Sequence, residues 1–283
     1  RPLRACRFAA QLNFQVEPAT MAAISQTLPV FQKVAAERVH DELIKMLSAN
    51  KPSVGLELMR QSGLLKIVLP ELDACFGVAQ PPEFHPHDVY WHSLYSCDAA
   101  PINNLSVRLA ALFHDLGKPS CKVDHTFYNH DQAGAKMVEK LMKRLKFSAS
   151  DTDKVVNLVA NHMFDYSNKW SDSAVRRFIR RIGGVENVGD LFALRRSDTK
   201  AMKLTVGSDY LVELQKRIDK IIAEENALHI RDLKVNGLDV MEALKVKPGP
   251  KVGEILDALL EKVLDDPALN TREILLALIK KHE

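Results

Sequence analysis

Six side chains of metal-binding type recur through the middle of the sequence: His92, His114, Asp115, His130, His162 and Asp198. His114 and Asp115 are adjacent, close the apolar run from Val107 to Phe113, and are followed by Leu116-Gly117-Lys118-Pro119. A helix that delivers neighbouring imidazole and carboxylate groups and then breaks at a glycine predicts a metal site. Mixed nitrogen and carboxylate donors suit manganese, iron, nickel or cobalt. Four residues, His92, His114, Asp115 and Asp198, would hold one ion. His130 and His162, sharing Asp115 as a bridge, would hold a second. Two ions roughly 3.5–4 Å apart clamp the attacking and leaving oxygens of a phosphoryl transfer, and bound water supplies hydroxide at neutral pH. The chemistry expected is phosphoester hydrolysis, with Asp115 and Lys118 as catalytic candidates. Lys118 would set positive charge against a substrate phosphate. Asp165, Asp172 and Asp190 compete with Asp198 for the last ligand position. His40, His85, His87, His125 and His229 read as structural or exposed.

These donors need elements that bring them together. Helical periodicity dominates and strand-like alternation is scarce, so the chain is expected to be all-α. A basic amphipathic helix is expected over residues 3–13 and another over 35–49. Ser53 is expected to cap a short helix ending near Gly63, and residues 64–72 to lead into a loop. Pro81, Pro82 and Pro86 mark a boundary. A bundle follows, with helices near 89–99, 104–114, 130–146, 151–162, 172–182 and 186–203. Ala133, Met137, Leu141 and Leu145 are expected to form its buried stripe on one helix, with Lys136, Lys140 and Lys143 opposite. The donors fall on five of these helices, and helix bundles commonly build metal sites from facing helices. Past residue 204 come a long helix to about Ala227, a turn at Asn236-Gly237, a helix over 238–244 and a final helical pair.

Composition sets outer bounds. The chain has 283 residues, is 46% hydrophobic and carries a net charge of +3. No run of about 18 apolar residues is present, so no membrane span is expected. Cys6, Cys75, Cys97 and Cys121 form no close pair and read as reduced thiols of a cytoplasmic protein. The chain begins at Arg1 with what reads as the middle of a helix, so it is expected to be a piece of a longer protein. Arg176, Arg177, Arg180 and Arg181, with Arg195 and Arg196, form local basic clusters that could face a polyanion or solvent.

The order H…HD…H…H…D resembles that of the HD superfamily of metal-dependent phosphohydrolases. A second resemblance flanks it. The segment Arg1-Pro2-Leu3-Arg4-Ala5-Cys6-Arg7-Phe8, followed by Gln11-Leu12-Asn13-Phe14, is similar to the neck helix of class II tRNA nucleotidyltransferases (CCA-adding enzymes) and bacterial poly(A) polymerases. Arg1 would match the last arginine of their E-D-x-x-R motif, whose Glu-Asp is absent. Arg38, Glu42 and Lys45 match a later R-x-x-x-E-x-x-K motif. Val235-Asn236-Gly237 through Gly249-Pro250-Lys251-Val252-Gly253 resembles the tail of CCA-adding enzymes that carry an HD domain.

The resemblance implies a helical neck and RNA-binding region over 1–84, an HD phosphohydrolase domain over 85–203 and a tRNA-binding helical tail over 204–283. It implies nucleotide or RNA contacts at Arg1, Arg4, Arg7, Arg38, Lys247 and Lys251, although Arg4 and Arg7 also fit a solvated basic stripe. Lys247 and Lys251 flank a helix expected to begin near Gly253 or Glu254, where free N–H groups could meet phosphate; plain turn chemistry explains the Pro-Gly pattern equally well. The implied partners are tRNA or other RNA 3′ ends, with ATP and CTP for an intact parent. The implied cofactor is one or two divalent ions (Mn, Ni, Co, Fe or Mg), with Mg in the parent's catalytic head. Neither the G-S nor the D-x-D motif of that head is found, so this chain alone is not expected to transfer nucleotides. Three functions stay open: RNA binding with hydrolysis of 2′,3′-cyclic phosphates or phosphomonoesters, a non-catalytic tRNA-gripping module, and a free-standing HD nucleotidase.

Overall fold

The computed structural model describes residues 1–82, 86–124, 126–202, 209–224 and 227–281. His85 and His125 lie outside them. Among the described residues every regular element is helical, and the sole β feature is an isolated bridge between Val123 and Thr126. The fold is all-α, as the periodicity predicts.

Two compact units form: residues 1–164 with 189–206, and residues 165–188 with 207–283. In the first, the helix Pro2–Leu12 buries Leu3, Cys6, Ala9 and Ala10 and packs on the helices Ala36–Leu47 and Pro52–Gln61. Gly55 permits that approach, because a Cβ there would stand 2.8 Å from the Cys6 carbonyl oxygen. The helices Val89–Ala99 and Ala149–Asn161 both pack on Leu105–Phe113, and His130–Arg144 packs on Ala149–Asn161. Leu105–Phe113 is the centre of this unit: every residue from Val107 to Phe113 is buried.

Arg108 lies inside that run with no exposed surface. Its guanidinium donates to the carbonyls of Leu47, Ala49 and Ala100. Burying a cation is costly unless its donors meet acceptors; these three carbonyls offset that cost for Nε and Nη1, while Nη2 has no partner among the described residues. Arg108 ties the end of Ala36–Leu47 to the helix that carries His114.

Several sequence expectations shift. Ser53 is not a cap: the helix starts at Pro52, and the Ser53 hydroxyl and N–H both donate to the Asp98 carboxylate. Residues 64–72 do lead into a loop, but through two short helices, Leu64–Val68 and Pro70–Asp73, with turns and coil following from residue 74. The helices Pro18–Gln26 and Leu28–Phe31 carry too few buried positions to announce themselves. On His130–Arg144 the buried set is His130, Gly134, Ala135, Val138, Leu141 and Met142, not a strict four-residue repeat. At 3.6 residues per turn, steps of four drift around the helix, and Ala133 and Met137 leave the core face. Lys136, Lys140 and Lys143 are exposed.

In the second unit, Asp172–Arg181 packs on Asp209–Ala223 and Pro250–Asp265, and Gly237–Leu244 packs on Arg272–Lys280. Three of the four arginines of Asp172–Arg181 are engaged by partners on another helix, while Arg181 is exposed. Arg176 donates to the carbonyls of Leu264 and Asp265, Arg177 pairs with Glu261 and Asp265, and Arg180 pairs with Asp257 and Glu261. Acids four residues apart on Pro250–Asp265 receive basic side chains one turn apart on the facing helix. Pro250–Asp265 begins at Pro250, earlier than Gly253, which places Lys251 in its first turn.

Candidate metal centre

The local structure sets each donor. His92 sits mid-helix in Val89–Ala99, whose start is capped by the Asp88 carboxylate accepting from the Trp91 N–H. His114 ends Leu105–Phe113 and His162 ends Ala149–Asn161. His130 opens its helix behind Asn129, which adopts φ 60°. Asp198 lies in Val188–Ala201. Gly117 decides how close these approach. A Cβ there would stand 2.1 Å from the His130 carbonyl oxygen and 2.7 Å from the Gly134 nitrogen. Only glycine lets the turn after Asp115 lie against the start of the His130 helix.

All six donors are buried. They form two sets joined by Asp115. In the first, His92 Nε2 lies 3.2 Å from His114 Nε2 and 3.0 Å from Asp198 Oδ1, and Asp115 Oδ2 lies 3.2 Å from His114 Nε2. In the second, His130 Nε2 lies 3.3 Å from Asp115 Oδ1 and 3.3 Å from His162 Nε2. Asp115 therefore turns one oxygen to each set.

The tautomers are fixed by what the outer ring atoms meet. Nδ1 of His114, His130 and His162 each contacts the carbonyl oxygen three residues earlier, at 2.9, 2.7 and 2.7 Å. A carbonyl can only accept, so Nδ1 carries the proton and the inward Nε2 of the neutral ring is a bare lone pair. Two such lone pairs face each other at 3.3 Å between His130 and His162, an arrangement that repels unless a cation lies between them. With metal–nitrogen bonds of about 2.1 Å, adjacent ligands sit roughly 3.0–3.4 Å apart. Asp115 Oδ1 lacks an aligned hydrogen-bond donor despite these close neighbours, and Oδ2 meets only the Lys118 ammonium at 2.7 Å. The residues present fit a divalent ion.

The electrostatics agree. Burial alone would raise the Asp115 carboxyl, but the neighbouring His114 and Lys118 outweigh it and hold it well below the usual carboxylate range. Burial likewise opposes ionisation of Asp198, and His92 and His114 pull it down. His162 is pushed down to about 3 by burial and by His114, so its ring stays neutral. His114 is the exception: burial lowers it, while Asp115 and Asp198 together raise it. A proton there answers the same demand for positive charge that a metal ion would answer.

Lys118 Nζ stands 2.7 Å from Asp115 Oδ2 and donates to Gln80 Oε1 at 2.6 Å. Arg195 donates to Asp198 Oδ2 at 3.4 Å, which leaves Oδ1 toward His92. Neither Gln80 nor Arg195 stands out among the donor types of the sequence; the i, i+3 spacing of Arg195 and Asp198 is the one signal that could have found either. A cavity of about 590 Å³ opens onto the donors and is lined by Lys118, Phe127, Tyr128, Met163 and Arg195 among others. The competing carboxylates are elsewhere: Asp165 is exposed, Asp190 pairs with Lys154 and accepts from Asn104, and Asp172 pairs with Arg217. Of the remaining histidines, His40 packs edge-on against Phe147 and His87 packs on Tyr95. His229 precedes a short 3-10 turn, Ile230–Asp232, where its N–H is held by Asp232.

The other predicted contacts scatter. Arg1, Arg4 and Arg38 line a cavity of about 390 Å³ with Asp41, Glu42 and Lys45. Arg7 is drawn off into an ion pair with Glu42 at 3.1 Å. Lys247 and Lys251 are exposed in the second unit.

Comparison with known proteins decides the family. Residues 13–76 match a family described as "Probable RNA and SrmB- binding site of polymerase A". Residues 127–279, more than half of the chain, match the family described as "tRNA nucleotidyltransferase domain 2 putative". The chain belongs to the class II tRNA nucleotidyltransferase (CCA-adding enzyme) family. An A-adding tRNA nucleotidyltransferase of Deinococcus radiodurans is 31% identical over 281 residues, covering 92% of this chain and 63% of its own length. A CC-adding tRNA nucleotidyltransferase of Thermus thermophilus is also 31% identical, with 92% and 61% covered. A multifunctional CCA protein of Vibrio cholerae is 37% identical over 174 residues, 57% of this chain and 43% of its own. The crystal structure of the Bacillus stearothermophilus CCA-adding enzyme with CTP superposes with a TM-score of 0.64 at 21% identity, covering 99% of this chain and 60% of that one. That likeness concerns the fold. The chain spans about three fifths of the length of the first two relatives.

Proposed function

We propose that this chain is the RNA-gripping part of a tRNA nucleotidyltransferase and that its donor cluster hydrolyses phosphoesters at RNA ends, with 2′,3′-cyclic phosphates and phosphomonoesters as the substrate class. The observation that carries the reading is the convergence of bare, buried imidazole nitrogens and ionised carboxylates on two adjacent points, with Asp115 common to both. Divalent ions held there would supply hydroxide at neutral pH and offset phosphate charge. His92, His114, Asp115 and Asp198 would hold one, and Asp115, His130 and His162 a second, with Mn, Ni, Co, Fe or Mg as the candidates.

The protein's own groups do the rest. The Nδ1–H bonds to backbone carbonyls lock the rings so that Nε2 faces inward, as outer contacts of metal ligands commonly do. Lys118 holds its ammonium against Asp115 at the cavity wall, where it would meet a substrate phosphate oxygen in a poorly solvated site. Arg195 fixes Asp198 and brings a second positive charge to the same wall. Burial of the donors limits access of bulk water.

The division into a neck over 1–84, a hydrolase domain over 85–203 and an RNA-binding tail over 204–283 is part of this reading, and so are contacts to RNA by Arg1, Arg4, Arg38, Lys247 and Lys251. The parent protein would add nucleotides to tRNA 3′ ends from CTP and ATP, in the cytoplasm, with Mg in its catalytic head. Among the described residues no helix is long and apolar enough to cross a membrane. The test is hydrolysis of RNA bearing a 2′,3′-cyclic phosphate, with manganese or nickel and with chelator, by the wild type and by His114→Ala and Asp115→Ala. Metal-dependent turnover lost in both variants supports the reading. Turnover unchanged in both, or absent from the wild type under every metal, refutes it.

A further inference from the structure

Gln80 lies outside every helix and is not of metal-binding type, yet it is buried, with 7% of its surface exposed. Buried polar side chains persist where their polar atoms find partners. Both ends of this amide do. Lys118 Nζ donates to Gln80 Oε1 at 2.6 Å, and Gln80 Nε2 donates to the His87 carbonyl at 3.3 Å. An ammonium can only donate and a carbonyl can only accept, so the two contacts together fix one orientation of the amide. The backbone before it is tied down as well. The Gly77 N–H donates to Asp88 Oδ2 at 2.7 Å, and the other oxygen of Asp88 caps the helix that carries His92. The Val89 N–H donates to the Val78 carbonyl, and Lys122 Nζ donates to the Ala79 carbonyl. Gln80 therefore follows a strap anchored on one side to the His92 helix and on the other to the end of the short helix Lys118–Cys121.

Charge gives the contact its meaning. An ammonium carries three N–H groups. Lys118 stands 2.7 Å from Asp115 Oδ2 and donates to Gln80, and no third acceptor is found among the described residues. The lysine also borders the cavity of about 590 Å³ beside the donors. Asp115 already supplies one full counter-charge. A carboxylate in place of Gln80 would supply a second and turn this corner of the wall net negative. A neutral amide accepts the N–H and leaves the charge in place.

We propose that Gln80 is a positioning residue for Lys118: its amide oxygen keeps the ammonium from turning wholly to Asp115 and holds the remaining N–H toward the cavity, where it meets a tetrahedral oxyanion. This role rests on the phosphoester reading for the charge of the ligand, and it adds a residue outside the donor set that decides how strongly the wall attracts that charge. Two properties of glutamine do separate work. The acceptor oxygen sets the geometry, and neutrality preserves the field. Groups locked by their own outer contacts lose little on binding, which is the use of the strap beneath Gln80.

The test is calorimetric titration of the full chain, loaded with manganese and desalted, with inorganic phosphate, which offers no ester bond to hydrolyse. The proteins are the wild type, Gln80→Glu, Gln80→Met, Lys118→Met and the double variant Gln80→Met with Lys118→Met, with manganese content measured for each. Gln80→Glu is expected to weaken phosphate binding about 10- to 100-fold, the effect of one added unit charge roughly 6 Å from the anion in a partly solvated site. Gln80→Met is expected to weaken it about 3- to 10-fold in the wild-type background and not at all once Lys118 is gone, because its effect passes through that lysine. A merely structural role for Gln80 would not produce that dependence on Lys118. Wild-type affinity in either Gln80 variant, an equal loss from Gln80→Met with and without Lys118, or no phosphate binding by the wild type overturns the proposal. So does loss of manganese from both Gln80 variants, which would make Gln80 a support of the metal donors instead. Turnover of cyclic-phosphate RNA by the same proteins reads the other claim separately. Phosphate binding that follows the expected pattern without turnover keeps the role of Gln80 and removes the hydrolysis, whereas turnover with phosphate affinity indifferent to Gln80 does the reverse.

Discussion

Replacing Gly117 with alanine should empty one half of the metal centre and spare the other. The added Cβ would lie 2.1 Å from the His130 carbonyl oxygen. An ordinary carbon–oxygen contact is about 3.3 Å, so the start of the His130–Arg144 helix must retreat by roughly 1 Å. No side chain can swing aside to absorb this, because both obstructing atoms, the His130 oxygen and the Gly134 nitrogen, belong to the backbone. Metal ligands tolerate displacements of about 0.2 Å. His130 Nε2, now 3.3 Å from both Asp115 Oδ1 and His162 Nε2, would leave the second set. His92, His114, Asp115 and Asp198 sit on other elements, and Asp115 Oδ2 faces His114 rather than that helix. Metal content after desalting, read by mass spectrometry, should fall by one ion per chain, and phosphoester turnover should fall about 100-fold, the usual cost of a misplacement of this size. Gly134→Ala is the graded control: its Cβ would stand 3.3 Å from the Gly117 nitrogen, so a few tenths of an ångström suffice. Helix content by circular dichroism should survive in both. If Gly117→Ala keeps the wild-type metal content and turnover, the reasoning that this contact builds the second set is wrong.

Other perturbations read different parts of the structure. Arg108→Ala would strip three buried carbonyls of their donor, and at about 1–3 kcal/mol each should lower unfolding free energy by about 3 kcal/mol or more, measured by denaturant titration. Lys247→Ala with Lys251→Ala should weaken tRNA binding and reduce the slope of log affinity against log salt by roughly one for each lysine, read by filter binding across a salt series. At Glu57, burial raises the carboxyl, but bonds from Arg60, Gln61 and Tyr90 more than reverse it and lower its pKa below the ordinary 4.5. Its folded value lies below its unfolded one, so this stabilisation is present above about pH 4.5 and is lost as pH falls below it. Glu57→Gln should flatten the fall in melting temperature over that acid range.

Much of the site was readable in the sequence because its chemistry is local in kind. His114-Asp115 at the end of an apolar run, and histidines at helix ends, follow from residue type and helix phase, and the structure brings all six donors together. The carboxylate was ambiguous because Asp165, Asp172, Asp190 and Asp198 have the same local character; exposure of Asp165 and the ion pairs of Asp172 with Arg217 and Asp190 with Lys154 separate them. The roles of Gln80 and of Gly117 depend on segments that meet across the fold, and spacing does not reveal such meetings. The same limit explains the arginines of Asp172–Arg181: their partners Asp257, Glu261 and Asp265 lie more than seventy residues away in sequence. Ser53 was misplaced because Pro52 fills the first helical position, and its hydroxyl is taken by Asp98 instead. On His130–Arg144 the four-residue repeat of apolar side chains misled because small residues, Gly134 and Ala135, occupy the face in contact with neighbours.

The central claim is that two adjacent sets of donors share Asp115 and hold divalent cations. Anomalous diffraction from a crystal soaked in manganese addresses it most directly. One anomalous peak is expected among His92, His114, Asp115 and Asp198, and a second among Asp115, His130 and His162. A crystal that shows no peak at either place, at a manganese concentration that labels other carboxylates of the same chain, would contradict it.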